Sequence, residues 1–315
     1  MVMSENTQDD RLVILKELPP LLPQFLLRRR IGAPVVPALM EEFGLDRMSF
    51  FILPQVQQVI GSSGGEQVTL AQIRSYFPYH VIDPFTPGVA LLKEKGLLEG
   101  DEIEGLSLSA RGRGAIERLH TEAKEHVSRI KALPTEQAKS LADQLESAVE
   151  TITSDPVLEP RPGSHLAGSR SVAGIGNIEP AMVRIEQAVY DLWMTRDDAH
   201  MKAWRNAEME GPAMSVWTLL WNGDATTVDE LAAKLVMQLT KADIESNLAY
   251  LFEKEYVIRE ADTLQLTPEG ILAREDIERE TDRIYFAPWP HSVSEAGWMR
   301  DRLQVVVDKL PSPPA

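Results

Sequence analysis

The chain has 315 residues, with 32 basic and 48 acidic side chains for a formal charge of −16, 43% hydrophobic residues and no cysteine. Lack of cysteine excludes disulfides, thiolate metal sites and cysteine nucleophiles, and no apolar run reaches the ~18 residues that span a bilayer. The length favours two domains over one, and the acidic, polar start Met1–Asp10 reads as the beginning of a cytoplasmic chain rather than a signal sequence.

The charge is uneven: −3 over residues 1–10, +1 over 11–140 and −14 over 141–315. Residues Arg11 to Met40 are apolar and punctuated by Pro19, Pro20, Pro23, Pro34 and Pro37, which limits them to short helices. Met48 to Ile60 is long enough for a supporting helix and is followed by Gly61-Ser62-Ser63-Gly64-Gly65. Thr69 is placed to cap a short helix, its hydroxyl accepting an orphan backbone N–H. After a second helix, an acidic hairpin tip, Gly100-Asp101-Glu102-Ile103-Glu104-Gly105, precedes a helix over Ala115 to Ile130. Thr135 caps another, whose Ala138, Leu141, Ala142, Leu145 and Val149 recur at 3/4 spacing and require a partner surface. Prolines, glycines and serines then crowd residues 153–181, which read as a linker. A second unit runs from 182 to 290, and residues 291–315 read as a terminal helix with a disordered tail.

The strongest organisational signal is an internal repeat. Leu91 to Glu99 leads into Leu106-Ser107-Leu108-Ser109-Ala110-Arg111-Gly112. About 160 residues later, Leu251 to Arg259 leads into Leu264-Gln265-Leu266-Thr267-Pro268-Glu269-Gly270. Upstream, Val68 to Ile73 parallels Thr227 to Ala232, and Met48 to Ile60 parallels Met214 to Trp221. Each copy predicts a supporting helix, a capped short helix, a second helix, a hairpin two residues longer in the first copy, and a new helix opened by Ser or Thr. That order is the winged helix-turn-helix. The expected fold is therefore mainly α with small β-hairpin wings (α+β), in two tandem units, the first over 11–152.

Three stretches carry a resemblance to a family. Lys93-Glu94-Lys95-Gly96-Leu97-Leu98 resembles the end of a recognition helix, Leu106 to Gly112 resembles the exit from a wing, and Leu133-Pro134-Thr135-Glu136-Gln137 with Leu141 and Leu145 resembles a dimerisation helix. Over Leu12 to Ile152 the chain thus resembles MarR-type (multiple-antibiotic-resistance) regulators. Leu266 to Gly270 and Glu280-Thr281-Asp282-Arg283 leading to Ala287-Pro288-Trp289 resemble a bacterial helix-turn-helix family of unassigned function. The resemblance implies a transcription regulator binding double-stranded DNA, with release by a small, aromatic effector. It also implies either a homodimer or an intrachain pseudo-dimer of the two units.

Candidate DNA contacts follow from that geometry, in which the start of the second helix reads bases and the wing grips phosphate. In the first copy they are Arg74, Thr86, Lys93, Lys95, Arg111 and Arg113, with the basic triplet Arg28, Arg29 and Arg30. In the second they are Lys241, Ser246 and Asn247. The segment Asp83 to Val89 offers only Thr86 as a neutral hydrogen-bonding group for a base edge, and both wing tips, Asp101-Glu102-Ile103-Glu104 and Glu260-Ala261-Asp262, oppose phosphate in sign. The alternative is a winged-helix module without DNA readout, acting on a protein or small ligand. For that reading Phe50, Tyr76, Tyr79, His80 and Phe85 are candidate pocket residues, or else ordinary core. Asp197 and His200 share a helix face at i, i+3, as a metal site or acid/base pair requires, or simply line an exposed face. No phosphate-binding loop, nucleophile elbow or cofactor motif is present, so no cofactor and no enzymatic activity are expected.

Overall fold

The computed structural model describes residues 11–81, 85–290 and 292–312. Of the segments read above, Met1–Asp10, Asp83 and Pro84 at the first recognition helix, and the last three residues of the tail lie outside these. Two small antiparallel hairpins are set among helices, an α+β arrangement of the winged-helix type.

The first unit begins with α1 (Leu21–Arg28) and α2 (Val35–Phe43), each opened by a proline at its N-cap. The supporting helix α3 (Arg47–Ser63) starts at Asp46, whose carboxylate accepts from the Ser49 amide. Thr69 caps α4 (Leu70–Tyr76) in a reciprocal box with Gln72, and α5 (Phe85–Glu94) is the second helix of the motif. Strands β1 (Leu98–Asp101) and β2 (Gly105–Leu108) form the wing, with Val68 bridging to Leu106 as a third, one-residue strand. Then come α6 (Ala110–Ser128), α7 (Thr135–Thr153) and α8 (His165–Ser171).

The second unit repeats the plan. A long helix, α9 (Ala181–Asn206), leads to α10 (Gly211–Trp221), α11 (Val228–Lys234) and α12 (Lys241–Glu253). Capping boxes join Thr227 with Glu230 and Thr240 with Asp243. The second wing is β3 (Val257–Glu260) with β4 (Thr263–Leu266), followed by α13 (Pro268–Phe286) and α14 (Val293–Lys309).

The repeat holds at the level of single hydrogen bonds. Ser109 Oγ donates to Gly96 O at 2.6 Å and accepts from Gly112 N; Thr267 Oγ1 donates to Glu255 O at 2.6 Å and accepts from Gly270 N. Gly112 and Gly270 are glycines for one reason: a Cβ on either would stand 2.1 Å from a backbone carbonyl, that of Leu97 or of Tyr256. From Leu98 to Leu108 the first hairpin runs one residue longer than Val257 to Leu266, not two, because the remaining difference falls before the strands.

The described residues form three apolar cores. One lies inside the first winged helix (Ile52, Val56, Ile73, Val89, Leu92, Leu97, Leu106) and one inside the second (Trp217, Leu231, Ile244, Leu248, Leu251, Leu264). The third is a helical body made by α1, α7, the first half of α9, the end of α13 and α14, around Phe25, Leu141, Leu145, Val189, Tyr285 and Leu303. The 3/4 stripe of α7 finds its partner here, against α9.

Residues 153–181 do not run as a free spacer. They include α8, which lies against α3 and α9, and the segment buries Leu158, Leu166 and Val172 along with His165 and Ser169. Its small residues serve close approach: a Cβ at Gly61 of α3 would overlap Ser171, and one at Gly168 of α8 would overlap the Tyr76 hydroxyl. Composition alone cannot tell such a contact from a flexible tether, because both select Gly and Ser. Among the described residues no helix is long and apolar enough to cross a membrane.

Candidate nucleic-acid interface

In the first unit, Arg74 Nη2 donates to Thr86 Oγ1 at 3.0 Å, so the two residues nearest the start of α5 meet. Lys93 is half-buried on α5, and Lys95 pairs with Glu94 at 3.0 Å. Arg111 donates to Lys95 O and lays its guanidinium 4.8 Å above the Phe43 ring, while Arg113 donates to Leu108 O at about 2.5 Å. Both therefore sit at the base of the wing. At the tip, the Asp101 carboxylate accepts from the amides of Ile103 and Glu104, which hold it below its ordinary range. Its charge thus shapes the turn. Ile103, 84% exposed, projects beyond it.

The triplet Arg28, Arg29 and Arg30 is held elsewhere. Arg28 reaches Val307 O on α14, and Arg29 and Arg30 both donate to Glu186 of α9, Arg30 at 2.8 Å. Glu186 is buried, and burial alone would raise its carboxyl; the two guanidiniums outweigh this and hold it low. This is an internal ion-pair cluster. Glu42 of α2 pairs with Arg118 of α6.

In the second unit, α12 exposes Lys241, Ala242, Glu245, Ser246 and Ala249 along one face. Lys241 pairs with Asp229 at 2.6 Å, Asn247 Nδ2 donates to Asp243 O at 2.7 Å, and Arg259 from the wing reaches Glu245 at 2.8 Å. The tip turns at Ala261, a non-glycine residue at φ +53°, between exposed Glu260 and Asp262.

The aromatic candidates largely fill one another's space. Phe77 stacks on Phe85 at 5.4 Å, His80 meets the edge of Phe85, and Tyr76 meets His165 at 4.4 Å. Tyr79 turns away to Trp204 of α9, whose Nε1 donates to its hydroxyl at 3.3 Å. Phe50 lines a different cavity, between α3 and α9. Asp197 and His200 line one cavity but bond to different partners: Asp197 Oδ2 lies 2.7 Å from His165 Nδ1, while His200 Nδ1 lies 3.1 Å from Thr281 Oγ1. Among the described residues no group of three His, Cys, Asp or Glu is placed to hold a metal ion.

Sequence reading passed over two features. His165, within the supposed linker, donates from Nε2 to Tyr76 O at 2.7 Å, and Asp198 accepts from the His165 and Leu166 amides. This locks α9 to the end of α4. Second, the turn of the first helix-turn-helix docks on the second unit. Val81 N donates to Gln238 O at 2.8 Å, in the turn that precedes α12, and Gly211 sits against Pro78, where a Cβ would lie 2.3 Å from the carbonyl oxygen. The turns leading into both recognition helices therefore touch.

Residues 173–311, from just before α9 through α14, match a helix-turn-helix family. The chain carries a helix-turn-helix unit. The match covers the whole second winged helix together with part of the helical body. The stretch that resembles MarR regulators lies outside it, and the match is to helix-turn-helix proteins rather than to that type. Among curated proteins and among solved structures, nothing matches.

Proposed function

We propose that the chain is a transcription regulator that binds double-stranded DNA through two MarR-like winged-helix units in tandem, cytoplasmic and without catalytic activity. The family match of residues 173–311 carries this reading, since helix-turn-helix proteins are in general DNA-binding regulators. In this reading α12 leads: Lys241, Ser246 and Asn247 lie along its first two turns, with Ser246 in solvent. Arg74, Thr86, Lys93, Lys95, Arg111 and Arg113 supply the first unit's contacts. Arg28 to Arg30 brace the fold instead, Arg29 and Arg30 through Glu186 and Arg28 through Val307 O. The unit boundaries near 152 and 182 belong to the same proposal, with the helical body as a shared third element and the touching turns making an intrachain pseudo-dimer.

A second reading is favoured by a specific observation. Both wing tips are acidic, and the turn of the first motif is spent on the second unit, as expected of a module that binds a protein or a small ligand instead of reading DNA. The deciding experiment is fluorescence anisotropy with random-sequence duplex from about 20 to 200 mM salt. Binding that weakens steeply with salt supports the regulator, because each phosphate contact releases counterions. No binding at the lowest salt rules for the second reading.

A further inference from the structure

Between the first winged helix and the helical body lies a cavity of about 280 Å³. Its walls come from the end of α1 (Arg29, Arg30), from α3 (Phe50, Phe51, Pro54, Gln55), from α6 (His120, Lys124) and from α9 (Glu186, Tyr190). Three of these side chains are cationic and one is anionic. Arg29 and Arg30 share the single carboxylate of Glu186, and among the described residues Lys124 Nζ has only the carbonyls of Ala173 and Ile175, at 2.6 and 2.7 Å. The charge uncompensated by side chains is therefore +2, in a recess where desolvated cations call for counter-charge.

Donors and acceptors are left over in the same place. The two terminal nitrogens of Arg30 carry no hydrogen bond among the described residues. His120 Nε2 and Gln55 Oε1 are buried without a partner there. Burial, reinforced by Arg30 and Lys124, pushes His120 down to about 4, so its ring is neutral at physiological pH and offers a lone pair or an N–H according to tautomer. Pro54 removes the amide that would satisfy the Phe50 carbonyl within α3. Buried polar atoms are ordinarily paired, so a cluster of unpaired ones beside excess positive charge is the mark of a site shaped for a ligand.

We propose that this cavity binds a small doubly charged oxyanion with a compact apolar body, a phosphate monoester or a dicarboxylate. Arg30 presents its free fork to the oxygens, as guanidinium suits both groups, and Lys124 adds a point charge. Phe50, half of Phe51, Val36 and Leu119 enclose the body. The volume is at the low end for ligand pockets, which limits the body to about the size of one ring. Because the walls belong to both the winged helix and the helical body, occupancy draws α3 and α6 toward α9.

The test is isothermal titration of the full chain, at about pH 7.5, with phenyl phosphate, phthalate, benzoate and benzamide. A phosphate monoester is mostly doubly charged there, its second pKa being about 6. We expect at least one dianion to bind at a single site, tighter than benzoate, with benzamide silent. Phenyl phosphate ahead of phthalate assigns a phosphate ligand, and the reverse order a dicarboxylate. Arg30→Gln weakens the preferred dianion about tenfold or more, and Glu186→Gln, which removes the competing carboxylate, tightens it. The charge series on the native chain stands even where a variant fails to fold. No binding of either dianion, or binding of benzamide as tight, overturns the site. None of these readouts involves DNA, so the site can fail while the regulator reading stands, and the converse.

Discussion

Gly211→Ala tests the contact between the two helix-turn-helix units. At an unconstrained helix start this change is neutral or stabilises by about 0.4–1 kcal/mol, by narrowing the unfolded ensemble. Here the new Cβ would lie 2.3 Å from Pro78 O and 2.8 Å from Pro78 C, both backbone atoms that no rotamer change can move. The first turn must therefore withdraw. Withdrawal strains the hydrogen bond from Val81 N to Gln238 O, worth about 0.5–1.5 kcal/mol, and the Tyr79–Trp204 pair, worth about 0.5–1.5 kcal/mol. Partial relaxation makes the net cost about 1–3 kcal/mol. For a chain of this size that lowers the melting temperature by roughly 2–8 °C. Calorimetry measures the shift, and hydrogen exchange at the Val81 amide reports the docking itself. A melting temperature unchanged or raised, with Val81 still protected, would refute the reasoning.

Three further outcomes are expected. Glu186→Gln leaves Arg29 and Arg30 without their shared carboxylate and costs about 3–5 kcal/mol in urea denaturation, whereas Glu146→Gln at the more exposed Arg184 pair costs about 0–1 kcal/mol. The Glu186 carboxyl is held low in the fold, so its stabilisation is present above the unfolded carboxyl pKa and lost as pH falls through the folded value. Burial opposes charging of His165, but Asp197 and Asp198 outweigh it and raise the imidazole above its ordinary value. Its contribution is then complete below about pH 6.5 and fades as pH rises through the folded pKa. The melting-temperature gap between the native chain and His165→Gln should accordingly narrow from about pH 6 to pH 9, and a widening gap would contradict the pairing. Finally, Glu255 sits at φ +59° where the first copy has Gly96 at φ +69°. Relieving that strain with Glu255→Gly should stabilise by about 0.5–1 kcal/mol, readable as a higher urea midpoint.

The repeat was legible in the sequence because its parts are local. A Thr cap three residues before Gln72 or Glu230, a Ser or Thr at the exit of the wing and the glycine three residues on each satisfy backbone groups within one turn. Such chemistry acts over a few residues, so it is written in consecutive letters, and it specified both winged helices and their order. The apolar stripe of α7 likewise announced that a partner existed, without naming α9. What only the tertiary structure decided are contacts between distant segments. Arg29 and Arg30 read as a surface patch because their partner, Glu186, lies more than 150 residues away. The glycines and serines of 153–181 read as a tether because close helix packing and flexibility select the same residues. Nothing in the sequence around Val81 indicates that its amide meets Gln238, since a backbone group carries no signature of its partner. Caps and periodicity determined the two winged helices, and long-range burial of charge and backbone determined how they face each other and where a cavity remains between the first of them and the helical body.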